Sequence, residues 1–135
     1  MKNAIVTGGG GGLGKSICTE LSKNGYAVAV LDLKIKDAQR TSEGLENASA
    51  YAVDVRDHSS VIEFYKNYGK APELIVNNAG IARFNKLLDQ KIKDFEDVIQ
   101  TNLIGSFIFA SEGVRLMIKE AKKGSIINIT SIHSV

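Results

Sequence analysis

The chain has 135 residues, 44% of them hydrophobic and 24% charged, and its formal net charge is +2. These values are ordinary for a globular domain, and so small a net charge gives no reason to expect a nucleic-acid partner. The length predicts one domain, residues 1–135, and the lone cysteine, Cys18, excludes an internal disulfide. No signal peptide or membrane-spanning apolar run is recognisable, so we expect a cytoplasmic protein that does not enter a membrane.

Short β-rich runs alternate with helix-like segments along the whole chain. Strands are expected at residues 3–7, 26–31, 49–53, 74–76 and 125–130, and helices at 13–24, 59–68 and 94–119, with a polar stretch before residue 47. The run at 27–31 is apolar throughout, which is typical of a parallel strand buried on both faces. The alternation predicts an α/β fold with a doubly wound parallel sheet and helices on both faces. A capping-box pattern, Ser60 to Glu63, is expected at the start of the third helix.

A glycine-rich turn joins the first strand to the first helix. It spans residues 8–14 and lets the backbone turn tightly and present bare N–H groups at a helix N-terminus, which suits a phosphate. Two templates fit the turn. Gly9, Gly11 and Gly14 match the dinucleotide fingerprint, whereas Gly9, Gly14, Lys15 and Ser16 match the P-loop of nucleotide triphosphatases. A flexible turn without a ligand is the third possibility.

Asp32 ends the second strand, 18 residues after Gly14. In a dinucleotide-binding fold a carboxylate at this distance accepts hydrogen bonds from the adenosine ribose, and its charge repels a 2′-phosphate. NAD is therefore favoured over NADP. Lys34, Lys36 and Arg40 follow as candidates for binding a 2′-phosphate, which keeps NADP open. The alternatives for Asp32 are a Mg²⁺ ligand in the P-loop interpretation and a plain turn or cap residue.

Asn77-Asn78-Ala79-Gly80 resembles a segment of the short-chain dehydrogenase/reductase family, and other motifs of that family occur in the same order. The residues that match the family's glycine motif are Thr7, Gly8, Gly12, Leu13 and Gly14. Asp54, followed by Val55, matches the family's adenine-contacting acid. Asn102 matches its active-site asparagine, and Ser131 matches its catalytic serine. The resemblance runs from Lys2 to the last residue and implies a Rossmann-type fold. It strongly disfavours the P-loop interpretation.

The chemistry that this resemblance implies is hydride transfer between a nicotinamide and a small-molecule alcohol or carbonyl compound. Ser131 would hold the substrate oxygen, the backbone carbonyl of Asn102 would bind a water in a proton relay, and Asn78, Ala79 and Gly80 would lie along the cofactor. From the residues alone, Ser131 is equally well a turn-capping hydroxyl and Asn102 a buried helix asparagine bonded to a neighbouring strand. Two histidines and one cysteine give almost no support for a metal site.

The family's Tyr-x-x-x-Lys pair is not found in these 135 residues. The positions four residues after the tyrosines hold Val30, Val55, Gly69 and Pro72. The chain therefore resembles the N-terminal half of such an enzyme, truncated after the fifth strand, and we expect it to bind NAD weakly without turnover. Arg83, Phe84 and the residues after Ser131, including His133, are expected at the edge of the substrate pocket.

The rival interpretation is a non-catalytic nucleotide-binding module that acts through a partner chain. It has one physical difficulty: the fifth strand would be an exposed sheet edge, and the long helix would lose whatever packs on its apolar side, which includes Phe95, Val98, Ile99 and Leu103. The family resemblance also implies a homo-oligomer for the full-length form.

Overall fold

The computed structural model of the chain describes residues 1–131, which form one five-stranded sheet with helices on both sides. The strands are β1 (Lys2–Thr7), β2 (Tyr26–Asp32), β3 (Ala48–Ala52), β4 (Leu74–Asn77) and β5 (Ser125–Asn128). The helices are α1 (Gly12–Lys23), α2 (Ile35–Ser42), α3 (His58–Tyr68), α4 (Ile92–Ile99) and α5 (Ser106–Lys119), with a short 3₁₀ turn at Leu87–Asp89. All strand pairs are parallel, and the order is β3-β2-β1-β4-β5.

Each face of the sheet carries its own core. Alternate residues of the central strands point to opposite faces, so that Val6 packs with Cys18 of α1 and Ala38 of α2, whereas Ile5 packs with Phe109 of α5. The α5 face also holds Phe64 and Tyr65 of α3 and Ile75 of β4, and the other face holds Val28, Val30 and Val76. The doubly wound Rossmann-type sheet predicted from the sequence is therefore confirmed.

The predicted capping box at the start of the third helix is wrong. The helix begins at His58, and its cap is Asp57, whose carboxylate accepts a hydrogen bond from the Ser59 N–H at 3.0 Å. Ser60 lies inside the first turn, where its hydroxyl instead accepts a hydrogen bond from the Asp54 N–H at 3.2 Å. An aspartate is at least as good a cap as a serine, and here it lies where the chain leaves the loop.

The long helix differs from a single regular helix. It runs from Ile92 to Lys119, but one π-helical turn, Gln100–Gly105, separates α4 from α5. Gly105 lies against the loop after β3, since a Cβ there would come within 2.8 Å of Val55 Cγ2. The polar stretch before residue 47 also contains a helix, α2, which buries only Ala38 and Thr41.

The sheet edge at β5 and part of the long helix are exposed, as expected. Ile127 of β5 is 47% exposed, and Phe95 and Leu103 are 55% and 63% exposed. Val98 and Ile99 are half-buried. Within residues 1–131, none of the helices combines the length and apolarity that crossing a bilayer requires.

Candidate functional site

A cleft of about 660 Å³ opens at the carboxyl ends of the central strands. Strands β2 and β3 lie on one side of β1, and β4 lies on the other side, so the cleft is at the point where the strand order reverses. Loops diverge at such a switch point in a doubly wound sheet, so that a ligand can enter between them. The position of the cleft thus follows from the strand order.

The glycine turn forms one wall of the cleft. Gly8 and Gly12 have φ values of +62° and +53°, which favour glycine, and the Gly9 N–H donates to the Leu31 carbonyl at 2.8 Å. A Cβ at Gly14 would lie 2.0 Å from the Gly8 carbonyl oxygen, so this close approach needs glycine. Because α1 begins inside the turn, the unpaired N–H groups of its first residues are available at the cleft.

Thr7 and Asn78 join the glycine turn to the segment after β4. The buried Thr7 hydroxyl accepts hydrogen bonds from the N–H groups of Asn78 and Ala79, at 3.1 and 3.0 Å. The Asn78 amide donates in return to the carbonyls of Thr7 and Gly8, at 3.1 and 3.0 Å. These four bonds fix the ends of two strands that are far apart in sequence, so two walls of the cleft are held as one unit.

Asp32 lies beside the glycine turn. Its Oδ2 accepts a hydrogen bond from the Gly10 N–H at 3.0 Å, and a Cβ at Gly10 would come within 2.7 Å of the same oxygen. Its Oδ1 accepts a long hydrogen bond from the Lys34 N–H at 3.4 Å. Among the ion pairs found in residues 1–131, none involves Asp32. The carboxylate therefore brings an unneutralised negative charge to the cleft.

Asp54 is engaged by an arginine that the sequence did not suggest. Arg56 Nε donates to Asp54 Oδ1 at 3.0 Å, and Nη2 donates to Oδ2 at 2.8 Å. These hydrogen bonds hold the pKa of the Asp54 carboxyl below its usual value. The pair is ionised and fixed, and its geometry gives Asp54 less freedom to reorient towards a ligand than a solitary acid would have.

Most of the predicted cofactor residues meet at this cleft. Those that line it are Thr7, Gly8, Leu13, Gly14, Asp32, Asp54, Val55, Asn78, Ala79 and Gly80, whereas Gly12 does not. Of the three basic residues proposed for a 2′-phosphate, Arg40 lines the cleft, whereas Lys34 and Lys36 do not. Residues that were not predicted also line it, among them Asp37, Arg56, Asp97 and Thr101. Asp97 and Thr101 are four residues apart, a spacing that places both on one face of a helix. The sequence alone does not show that this face meets the cleft.

Asn102 does not fit the buried-asparagine alternative. It lies in the π-helical turn and is exposed. Its side chain forms two hydrogen bonds with the backbone of Ile81: Oδ1 accepts from the N–H and Nδ2 donates to the carbonyl, both at 2.9 Å. Its own carbonyl accepts a hydrogen bond from the Ser106 hydroxyl at 2.9 Å. Asn102 thereby positions the segment that follows Gly80.

The residues expected at the substrate end are only partly brought together. Arg83 lines the cleft, but Phe84 is 94% exposed and does not. Ser131 is exposed and is not among the cleft-lining residues, and His133 lies outside the described part of the chain. No group of three metal-binding side chains occurs among the residues described.

The strand order and the glycine turn at the switch point define the class of this protein, an α/β domain of the Rossmann type. A model of the short chain dehydrogenase family matches residues 2–135. The chain belongs to the short-chain dehydrogenase family.

Several relatives share this similarity along nearly the whole chain. Sorbitol-6-phosphate 2-dehydrogenase of Escherichia coli is 34% identical over 95% of this chain and 53% of its own length. A 3-oxoacyl-[acyl-carrier-protein] reductase FabG of Staphylococcus epidermidis is 36% identical over 97% and 57%. The crystal structure of sorbitol-6-phosphate 2-dehydrogenase SrlD from Erwinia amylovora matches with a TM-score of 0.90 and 34% identity, over 95% of this chain and 54% of that one. The chain thus spans about half the length of the relatives it matches.

Proposed function

We propose that residues 1–135 form the dinucleotide-binding part of an NAD(P)-dependent oxidoreductase that prefers NAD. The observation that carries this proposal is the cleft at the switch point, where the glycine turn, Asp32 and residues 78–80 meet. A pyrophosphate is suited to the N–H groups at the start of α1, since they carry partial positive charge and lack partners within the helix. Glycine at position 14 keeps α1 close to the strand ends that bear the pyrophosphate site.

The preference for NAD rests on the charge of Asp32. One of its oxygens already accepts from Gly10, which orients the carboxylate and leaves further lone pairs for ribose hydroxyls. A 2′-phosphate would bring a second negative group to a carboxylate that has no cation in an ion pair with it among the described residues. NADP is the alternative cofactor.

The substrate would be a small-molecule alcohol or carbonyl compound. A bound NAD(P) supplies the hydride carrier for that reaction. In this proposal the Ser131 hydroxyl holds the substrate oxygen and the Asn102 backbone carbonyl binds a water in a proton relay, as the family resemblance implies. Asp54 and Val55 would lie at the adenine, and Thr7, Gly8, Gly12, Leu13 and Gly14 at the phosphates. The 135-residue chain is expected to bind cofactor without turnover, because none of its tyrosines has a lysine four residues later.

Two alternative functions have less support than the oxidoreductase. A non-catalytic nucleotide-binding module is favoured only by the lack of that Tyr-x-x-x-Lys pair in these residues. A P-loop triphosphatase would need Lys15 and Ser16 at the phosphates, and neither lines the cleft. A cytoplasmic location and a homo-oligomeric full-length form stay predictions.

The test is calorimetric titration of the chain with NAD, NADP and ATP–Mg²⁺. We expect NAD to bind best, and we expect Asp32→Asn to weaken it by about tenfold or more, since hydrogen bonds to a charged group contribute about 1.5–3 kcal/mol. The matched control is Asp89→Asn, which removes the same charge from an exposed residue that does not line the cleft. Tightest binding of ATP–Mg²⁺, or equal weakening by the two substitutions, would contradict the proposal.

A further inference from the structure

Asp37 and Arg40 of α2 lie at the rim of the cleft beside Asp32. A Cβ at Gly10 would come within 2.7 Å of both the Asp37 Cβ and Asp32 Oδ2, so the two acidic side chains pack against the same glycine. Arg40 Nη2 donates to Asp37 Oδ1 in an ion pair within the helix. All three charged side chains line the cleft.

Arg40 is the cleft-lining cation on the element that directly follows Asp32. The other two arginines of the cleft come from later segments, and each has a partner of its own: Arg56 is held by both oxygens of Asp54, and Arg83 donates to the Ala82 carbonyl. The Arg40 side chain is 72% exposed, whereas that of Asp37 is 31% exposed. Among the interactions found in residues 1–131, the bond to Asp37 is the one that restricts the Arg40 side chain, which is otherwise largely exposed.

We propose that Asp37 is a second determinant of cofactor choice, which acts by holding Arg40 away from a 2′-phosphate. This inference rests on the proposed function, because it concerns the adenosine end of the same cleft. A guanidinium binds phosphate through its N–H groups, and the Asp37 carboxylate on the same helix already accepts a hydrogen bond from Arg40 Nη2. NAD has no phosphate at that position, so the state of Arg40 matters to NADP alone.

The experiment compares the dissociation constants of NAD and NADP for the full chain and its variants. Asp37→Asn removes the competing charge and keeps the size of the side chain. It is expected to strengthen NADP binding roughly threefold to fivefold, the upper range for releasing an exposed ion pair, and to change NAD binding by less than about twofold. In the Asp37→Asn/Arg40→Gln double variant the NADP gain should disappear. Circular dichroism confirms that each variant is folded.

Two single variants test whether the NADP gain depends on the pairing of Asp37 with Arg40. Arg40→Gln alone should change NADP binding less than Asp37→Asn changes it, since the wild-type Arg40 is paired with Asp37, and a loss of NADP binding as large as the Asp37→Asn gain would overturn the inference. Glu43→Gln is the matched control, because it removes one negative charge just beyond α2 without altering the cleft lining. It should change neither cofactor, and an NADP gain equal to that of Asp37→Asn would show a general charge effect and overturn the inference.

The remaining outcomes separate the inference from the proposed function. If the wild-type chain binds NAD but Asp37→Asn leaves the NADP-to-NAD ratio unchanged, the inference fails and the proposed function stands. An NADP gain that persists in the double variant shows that Asp37 does not act through Arg40, and it overturns the inference too. If neither cofactor binds the wild-type chain or any variant, the proposed function fails and the inference fails with it.

Discussion

Replacing Gly14 by alanine should destabilise the fold more than any other single added methyl group in the glycine turn. The new Cβ would lie 2.0 Å from the Gly8 carbonyl oxygen and 2.6 Å from Asn78 Nδ2. Both are well inside contact distance, and the first is backbone that cannot rotate away. Overpacking of a rigid site costs about 1–3 kcal/mol, and two displaced Asn78 hydrogen bonds would add about 1 kcal/mol each. We expect a loss of about 3–5 kcal/mol in the free energy of unfolding.

Urea unfolding followed by circular dichroism measures this loss, with Gly11→Ala as the control in the same turn. A Cβ at Gly11 would have no atom within 4 Å, and its φ of −170° is extended backbone that alanine adopts freely. The control should therefore stay within about 0.5 kcal/mol of wild type. A difference of less than about 1 kcal/mol between the two variants, a fraction of the overpacking cost, would refute the close approach of α1 to Gly8.

Three further predictions concern other parts of the fold. Thr7→Val should cost about 1–3 kcal/mol in urea unfolding, because it leaves two partly buried backbone N–H groups without their acceptor, whereas Thr7→Ser should restore most of the stability. Burial raises the pKa of the Glu73 carboxyl, but the Asn3 N–H, 2.6 Å away, and Lys122 outweigh that effect and hold the pKa below its ordinary value of 4.5. The ionised Glu73 therefore stabilises the fold above pH 4.5, and this stabilisation is lost as the pH falls through the lowered pKa. Wild type and Glu73→Gln should accordingly converge in stability in acid, and a gap that persists in acid would contradict this assignment. Burial raises the pKa of the Cys18 thiol to about 12, so a thiol reagent should label it only as fast as the chain unfolds, and rapid labelling under native conditions would contradict its burial.

The sheet was predictable because its strands are short apolar runs that can be recognised in the sequence. Apolar runs such as residues 28–31 are buried on both faces of the sheet, so their hydrophobic composition predicts a strand without knowledge of its neighbours. Helix α2 carried little signal, because it buries only Ala38 and Thr41, and its remaining residues are polar or exposed. The π-helical turn depends on how Gly105 meets Val55, which is a tertiary contact.

The same distinction applies to the candidate site. The glycine turn and the Asn78 segment were recognisable because backbone geometry there restricts the residue types. The pairing of Arg56 with Asp54 and of Arg40 with Asp37 was not, because charged surface residues form such pairs only once the loops are in place. The roles assigned to Ser131 and Asn102 come from the family resemblance alone and stay predictions.

The central claim is that the cleft beside the glycine turn holds the cofactor. The most direct test is a nuclear magnetic resonance titration of the ¹⁵N-labelled chain with NAD, which reports on every backbone amide at once. The account predicts shifts at residues 8–14 and 78–81, with amides at the far end of α3, such as Asn67, unchanged. Saturable shifts confined to another surface, or none at all at residues 8–14, would contradict it.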